Sequence, residues 1–500
     1  MRSQVVRLGL ILGAGALPSS AAEVTRGPYL QSGTPTSLVV RWRTDVNTDS
    51  RVHYGTRSNL LDRVAVDPTQ TPEHIVTLSG LAPNTTYYYA IAGDTNILAA
   101  GPDYFFITAP TTAKPTRLWV LGDAGTRNFN QRAVRDAYYA YTAERHTDLW
   151  LMLGDNAYST GRDSEYQAAV FDTYPHMLRK SVLWPALGNH DAAFDPDPPP
   201  DLPFFEIFTL PTVGQAGGVP SGTEKYYSFN YGNIHLICLD SMASDRSSTG
   251  PMCAWLRADL ADNVSEWTFA YWHHPPYTKG SHNSDAEHEL IEMRENVLPV
   301  LEAFGVDLVM CGHSHSYERS YLLHGHYDFS DTLIPEMILD PGSGRESESG
   351  PYRKGGEDNR GAVYVVAGSS GQTSGGSLDH PAMFISLNQL GSLVLDVNGP
   401  RLDATFLRST GAIADSFTIL KGGAAVALRI TSFTVDAGIM TFRWSSMAGH
   451  TYAIQRAKSL FSSEWETVSP PITATGSNTG WSGLLELDPP LFYRVTRLGN

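Results

Sequence analysis

Between residues 117 and 315 the chain repeats one unit five times: a short apolar run, usually a glycine, and then a polar residue able to hold a metal. The copies are LGDAG with Asp123, LGDNAY with Asp155 and Tyr158, LGNHD with Asn189 and His190, YWHHPPY with His273 and His274, and CGHSHSYER with His313 and His315. Helical stretches such as NQRAVRDAYYAYTAERH and EHELIEMRENVLPVLEAFG separate the runs. Strands that are apolar throughout belong in a sheet covered on both faces, so the alternation predicts an α/β domain over about residues 117 to 375. The β-type runs of 381 to 419 are expected to close the same domain. An open α/β sheet keeps its site outside the carboxyl ends of its strands, and all five polar positions fall there.

A single GD or GNH is commonly a helix cap or a turn. Five in succession, each at the end of an apolar run, are not explained as independent caps. Charge taken out of water must be paired or metal-bound. Carboxylates, imidazoles, an amide oxygen and a phenol, without a convincing thiolate, describe a site for Fe, Zn or Mn. The donors are too many for one tetrahedral zinc, so two ions about 3.5 to 4 Å apart, bridged by a carboxylate, are the economical reading. Such a pair can orient water, lower its pKa and clamp the oxygens of a phosphoryl group. Gly312 lets its strand end in a loop that turns both His313 and His315 toward one point. Cys311 should alternate away from that point and is read as a buried thiol.

With 500 residues and 42% hydrophobic content the chain can bury a large core. Its net charge of -16 and the lack of any Lys/Arg run argue against tracking a nucleic-acid backbone. Arg2 and Arg7, the apolar run from Leu8 to Leu17 and the small residues Ser20, Ala21 and Ala22 read as a signal peptide over 1–22. That run is too short to span a bilayer, and no later one reaches 18 residues, so a secreted or periplasmic protein without a transmembrane segment is expected. Cys238, Cys253 and Cys311 are too few for a disulfide scaffold, and a Cys238–Cys253 bridge stays open.

From Gly27 to Pro110 short β-type runs alternate with turns, and TYYYAIA alternates strictly, which predicts an antiparallel sandwich. The Pro83-Asn84 turn before Tyr87 to Tyr89 is similar to a tyrosine corner. TAPTTAKPT, Thr108 to Thr116, reads as a linker. From Ala424 onward another chain of short strands predicts a third small sandwich, either a spacer or a carbohydrate- or surface-binding module, without a cluster of reactive residues. Two insertions interrupt the middle domain. Proline keeps FDPDPPPDLP, Phe194 to Pro203, out of any central strand. The polar, Gly-rich stretch from Asp340 to Gly361 reads as a flexible surface loop or a rim over the site.

The ordered set GDAG, GDNAY, GNHD, HHPPY and GHSHSYER resembles the calcineurin-like metallophosphoesterase superfamily. The tyrosine of GDNAY, with the preceding sandwich, resembles its purple acid phosphatase branch, over roughly residues 24 to 420. The resemblance implies a multidomain chain: a fibronectin-III-like β-sandwich at 23–112, a central α/β four-layer metallophosphoesterase domain with two sheets flanked by helices at 113–420, and a small C-terminal all-β domain at 424–500. It implies ferric iron, Fe(3+), on Asp123, Asp155, Tyr158 and His315, and a divalent Fe, Zn or Mn on Asp155, Asn189, His273 and His313. Asp155 would be the bridge, and Tyr158 would colour the protein. The family pattern of His, any residue, Pro, any residue, aromatic selects His273, with His274 as the alternative.

The resemblance also gives His190 a contact with phosphate. His282, nine residues after His273, matches a histidine of plant members and is a candidate acid for an alkoxide leaving group, or else an exposed loop residue. Glu318 and Arg319 are expected to brace the loop of His313 and His315. The implied activity is an acid phosphatase that hydrolyses monoesters of small phosphorylated substrates with metal-activated hydroxide. Phosphodiester hydrolysis on the same scaffold is the alternative. A catalytically silent cell-surface binding protein is the alternative of another class, which a missing ligand would favour. The insertions and the C-terminal unit depart from a minimal family member, so substrate choice and the partners of the last domain stay open.

Overall fold

The computed structural model describes residues 22–498 apart from 95, 193–201, 356–358, 423–427, 429, 447–450, 460–463, 477 and 485–490. The signal peptide expected at 1–22, all but its last residue, and most of the proline-rich insertion lie outside the described residues.

The first unit is organised by one 19-residue strand, Ser37–Gly55. Arg63–Ser79 pairs along one edge. The other edge is shared: Val24–Gln31 takes its first half and Thr86–Gly93 its second. Register breaks between Arg43 and Ser50, where extra residues increase twist and let the strand bend from one layer to the other. Six strands thus make one curled, sandwich-like sheet around Trp42, Tyr87 and Phe106. The tyrosine corner is present, with the Ala82 N–H donating to the Tyr87 hydroxyl at 3.0 Å. Arg26 and Arg43 both reach Asp163 in the next unit, at 2.9 and 2.8 Å, and Tyr29 donates to the Ile207 carbonyl at 2.7 Å. These contacts tie the first sheet to the second unit.

The middle unit holds two mixed seven-stranded sheets flanked by helices. One runs, in spatial order, Tyr352–Lys354, Ile413–Lys421, Arg401–Arg408, Gly391–Asn398, Thr116–Leu121, Leu149–Met152 and Val182–Pro185. The other runs Tyr227–Tyr231, Ile234–Cys238, Trp267–Trp272, Leu308–Cys311, Val363–Ala367, Tyr317–Ser320 and Met383–Leu387. The last three strands of the first sheet are parallel, as are the four from Ile234 to Ala367 in the second. All five repeated units therefore end at carboxyl ends of parallel strands. Their apolar runs are buried throughout because both faces are covered. Trp119, for example, stacks at 4.1 Å on Tyr138 of helix Phe129–Thr142. The runs after residue 381 complete both sheets.

The segment from Asp340 to Gly361, of which 356–358 lie outside the described residues, is an exposed loop at 346–349 but is built into the first sheet further on. Tyr352–Lys354 adds a strand parallel to Ile413–Lys421. The fully buried Lys354 ammonium lies 2.9 Å from Asp307, at the amino end of the strand whose other end carries His313. A polar, Gly-rich composition concealed this long-range ion pair. All three cysteines are buried free thiols, so the open Cys238–Cys253 pairing is not made. The C-terminal unit is all-β, with two small sheets around Phe442, Trp444, Tyr452 and Ile454.

Candidate metal centre

Each strand delivers its donor through a turn that only a close-packed backbone permits. Asp123, Asp155 and His313 take left-handed φ values of 55°, 52° and 65°, a conformation that costs a non-glycine residue about 1–3 kcal/mol and clusters at functional sites. Where a glycine precedes the donor, as before Asp123, Asp155, Asn189 and His313, it is needed for space. A methyl on Gly188 would lie 2.1 Å from the Asp155 nitrogen, and one on Gly312 would lie 2.5 Å from Asp123 Oδ2.

The donors converge in two adjoining groups. In the first, Tyr158 Oη is 3.1 Å from Asp123 Oδ1 and 3.2 Å from His315 Nε2, and His315 Nε2 is 3.5 Å from Asp123 Oδ1. In the second, Asn189 Oδ1 is 2.8 Å from His273 Nε2 and 3.1 Å from His313 Nδ1, while those two nitrogens are 3.2 Å apart. Asp155 stands between them. Its Oδ1 is 3.4 Å from His273 Nε2, and its ligand atoms fall within 4.8 Å of those of Asp123 and His273.

The surrounding contacts orient the rings. His273 Nδ1 faces the Leu153 carbonyl at 2.9 Å, which fixes its N–H there and turns Nε2 inward as an acceptor. His315 Nδ1 faces Ser374 Oγ at 2.6 Å, again leaving Nε2 inward. His274 also brings a ring nitrogen within 4.8 Å of His273 and His313, but its Nδ1 is held by Ser241 at 2.8 Å. His273 is the one that faces Asn189 and Asp155.

The electrostatics call for a cation. Asp123 and Asp155 are 0% and 1% exposed, and among the described residues their ion pairs are with histidines only. Burial, and then the charge of Asp123, push Asp155 above the usual carboxylate range, against the pull of His273. Burial acts on Asp123 too, but the His315 hydrogen bond and the field of the histidines outweigh it and hold Asp123 low. Burial and the two carboxylates raise the Tyr158 phenol well above its ordinary value, so a strong positive charge is needed to draw off its proton. Two adjacent buried carboxylates, an inward amide oxygen and inward imidazole nitrogens form a donor set that suits a pair of metal ions.

His190 and His282 sit at the edge of this centre. His190 Nδ1 is 2.8 Å from the Ser159 carbonyl and its ring lies 4.5 Å from that of Tyr158. The His282 ring lies 3.7 Å from that of His313, and its Nδ1 is 2.8 Å from Glu287 Oε2. Glu318 and Arg319 do not pair with each other, because successive strand residues face opposite sides. Glu318 accepts from Ser316 at 2.9 Å and from Thr278, bracing the histidine loop. Arg319 makes a buried two-bond pair with Asp415 at 2.6 and 3.0 Å.

Sequence reasoning missed four residues. Glu287 Oε2 also lies 3.3 Å from His313 Nε2 and so joins the two rings. Asp191 accepts from Tyr166, Asn156 and Gly188, and burial, helped by Asp155, raises it to about 7. Gln372 Nε2 is 3.2 Å from His315 Nε2, and Ser374 holds the other side of that ring. Asp191, in GNHD, is the one with a sequence signal, as the acid after the histidine of a quoted run.

Comparison with known proteins gives two family matches. Residues 116–317 match the calcineurin-like phosphoesterase family, and 26–108 match the purple acid phosphatase N-terminal domain. Purple acid phosphatase 15 of Arabidopsis thaliana is 28% identical over 303 residues, 55% of this chain and 54% of that protein. The match therefore spans about half the length of that relative. An uncharacterized protein of Mycobacterium tuberculosis is 28% identical over 393 residues, 70% of each chain. The solved purple acid phosphatase PPD1 from yellow lupin seeds shares the fold, with a TM-score of 0.61 at 16% identity over 80% of this chain and 75% of that one.

Proposed function

Because the chain belongs to the purple acid phosphatase branch of the calcineurin-like phosphoesterases, we propose that it hydrolyses phosphate monoesters of small substrates at a dinuclear metal centre. The observation that carries this reading is the pair of fully buried carboxylates, Asp123 and Asp155, set among inward-facing donors and, among the described residues, with only histidines as ionic partners. Asp123, Asp155, Tyr158 and His315 would hold ferric iron, and Asp155, Asn189, His273 and His313 a divalent Fe, Zn or Mn. Such a pair, when bound, supplies the Lewis-acid charge that activates water and draws phosphoryl oxygens into the site.

The remaining roles belong to the chain's own groups. His190, anchored through Nδ1 on the Ser159 carbonyl, stands over the Asp155 side and is placed to contact the phosphoryl group. His282, anchored through Nδ1 on Glu287, keeps Nε2 as the nitrogen that can give a proton to the departing ester oxygen. The two acids of GDAG and GDNAY are held rigid by the strained turns, so the donors are preorganised before any ligand arrives. A secreted or periplasmic location is part of the same proposal, resting on the charged start and short apolar run of residues 1–22.

The test compares rates on an aryl monoester and a bis-aryl diester over pH 4 to 9, with protein loaded with iron and zinc or manganese. Faster monoester hydrolysis at acidic to neutral pH, with about two metal equivalents per chain, is expected. Preference for the diester at every pH would replace the monoesterase reading, and a metal-loaded protein that cleaves neither would end it.

A further inference from the structure

The segment Gly368–Leu378 crosses the carboxyl ends of both sheets and is fastened to three of the metal-centre loops. Ser370 donates its N–H to the Gly122 carbonyl at 3.1 Å, Ser374 donates to the His315 carbonyl at 3.3 Å, and Leu378 donates to the Lys279 carbonyl at 2.8 Å. Thr126 Oγ1 donates to the Gly371 carbonyl at 3.3 Å. The packing leaves little slack. A methyl on Gly371 would lie 2.5 Å from the Asp123 carbonyl oxygen, and one on Gly368 would lie 2.1 Å from that of Ser314.

Gln372 is the long polar side chain this strap delivers. Its Nε2 sits 3.2 Å from His315 Nε2, the same nitrogen that lies 3.2 Å from Tyr158 Oη and 3.5 Å from Asp123 Oδ1. The amide therefore closes one side of the first donor group. An amide NH2 carries two hydrogens and no usable lone pair, so it cannot ligate a cation. It can donate to His315 Nε2 only while that nitrogen has its lone pair free. Once the lone pair is committed to a metal, the donor beside it is left to find another acceptor, and a half-buried donor without one is costly. An anionic phosphoryl oxygen at the Tyr158 and His315 end of the centre would be such an acceptor.

We propose that Gln372 is a substrate-binding residue that donates its side-chain amide to a non-bridging oxygen of the phosphoryl group at the Tyr158 and His315 end of the centre. The proposal rests on the phosphatase reading above and assigns this chain a contact made from the strap, not from any of the five repeated units. The same donor should hold product phosphate.

The experiment titrates metal-loaded wild type, Q372A and Q372E with inorganic phosphate by calorimetry, with elemental analysis and monoester kinetics on the same samples. A hydrogen bond to a charged group predicts about 10- to 100-fold weaker phosphate binding by Q372A, with two metal equivalents retained and KM raised in step. Q372E should be weaker still, because a carboxylate there repels the anion. Unchanged phosphate affinity in Q372A overturns the proposal. Loss of a metal in Q372A overturns it too, since the side chain would then serve as a prop for His315 or, with the amide reversed, as an oxygen ligand. A wild type that binds phosphate but cleaves no ester defeats the reaction proposed above, and the phosphate contrast between wild type and Q372A still decides the role of Gln372.

Discussion

Replacing Gly312 by alanine isolates the close approach on which the centre depends. Gly312 is not among the residues with positive φ, so alanine brings no backbone strain there, only a methyl group. That methyl would sit 2.5 Å from Asp123 Oδ2, 3.0 Å from the Leu153 carbonyl oxygen and 3.3 Å from His273 Nδ1. Ordinary contact begins at 3.4 Å, so the Asp123 carboxylate has to retreat by about 0.9 Å. The retreat also strains the 2.7 Å bond that Oδ2 accepts from the His313 N–H, so two donors move together. A displacement of roughly 1 Å at a reacting centre costs on the order of 100-fold in rate. We therefore expect G312A to lose about 100-fold in kcat/KM for an aryl monoester, or about one of two metal equivalents, with an unchanged far-ultraviolet spectrum.

The control is G411A. Gly411 has φ of 83° with nothing within 4 Å of an added methyl, so it isolates backbone strain from crowding. That substitution should cost about 1–2 kcal/mol of stability and leave metal content and rate at wild-type values. A G312A protein with two metals and wild-type turnover would refute the reasoning, because the glycine would then owe nothing to the space between Asp123 and His273.

Four further outcomes follow from the same structure. Tyr158→Phe should abolish a broad visible absorption of the iron-loaded protein while the circular dichroism stays unchanged; a band that survives the substitution removes the tyrosine from the iron. His282→Ala should slow an alkyl monoester much more than an aryl one, since only the poor leaving group needs a proton, and equal losses measured side by side would make it a loop residue. Asp415→Ala leaves the fully buried Arg319 without its carboxylate, and chemical denaturation should show a loss of about 3–5 kcal/mol; a loss below about 1 would mean that water reaches the arginine. His74, 1% exposed and stacked on Trp42 at 4.6 Å, is pushed down to about 4 by burial, against a smaller upward pull from Asp49. Folding thus holds a neutral imidazole, so its share of stability is whole above pH about 6.5 and is lost as pH falls toward 4, amounting to no more than about 3 kcal/mol. Urea midpoints at pH 7 and 4.5 should converge in His74→Gln relative to wild type, and parallel falls in both proteins would contradict this.

What the sequence made legible was local. Each of the five units is readable because the apolar run, the glycine where there is one, and the donor are contiguous, and the reason for their order is contained in a few residues: a buried strand, a close-packed turn, a polar end. The long strand Ser37–Gly55 was harder. Its middle, Val46 to Asp49, reads as a turn, so the residues on either side look like two of the short β-type runs. The backbone instead continues through a register break, since Arg63–Ser79 pairs with both halves and keeps them one bent strand. A bulge and a turn share the same polar composition, and only the partner strand tells them apart.

The same distinction explains which site residues stayed hidden. GSSGQTSGG has the composition of any surface loop, and nothing within it points to chemistry. Its meaning lies in bonds to Gly122, His315 and Lys279, which are 248, 59 and 99 residues from their partners Ser370, Ser374 and Leu378. Glu287 is hidden in another way, because five residues after His282 it reads as the start of a helix, and helix Glu287 does precede, His288–Glu292, is what that pattern serves. One carboxylate oxygen there meets both His282 and His313 because the loop from Pro275 to Asp285 is tied to the histidine loop through Thr278 and Ser281. Ligands that bind metal must be short and rigidly mounted, so they sit in local units at strand ends. Groups that meet the substrate need only reach the rim, so they can come from loops whose sequences carry no sign of it, and substrate choice within this fold should be sought on the strap and the His282 loop before the five repeated units.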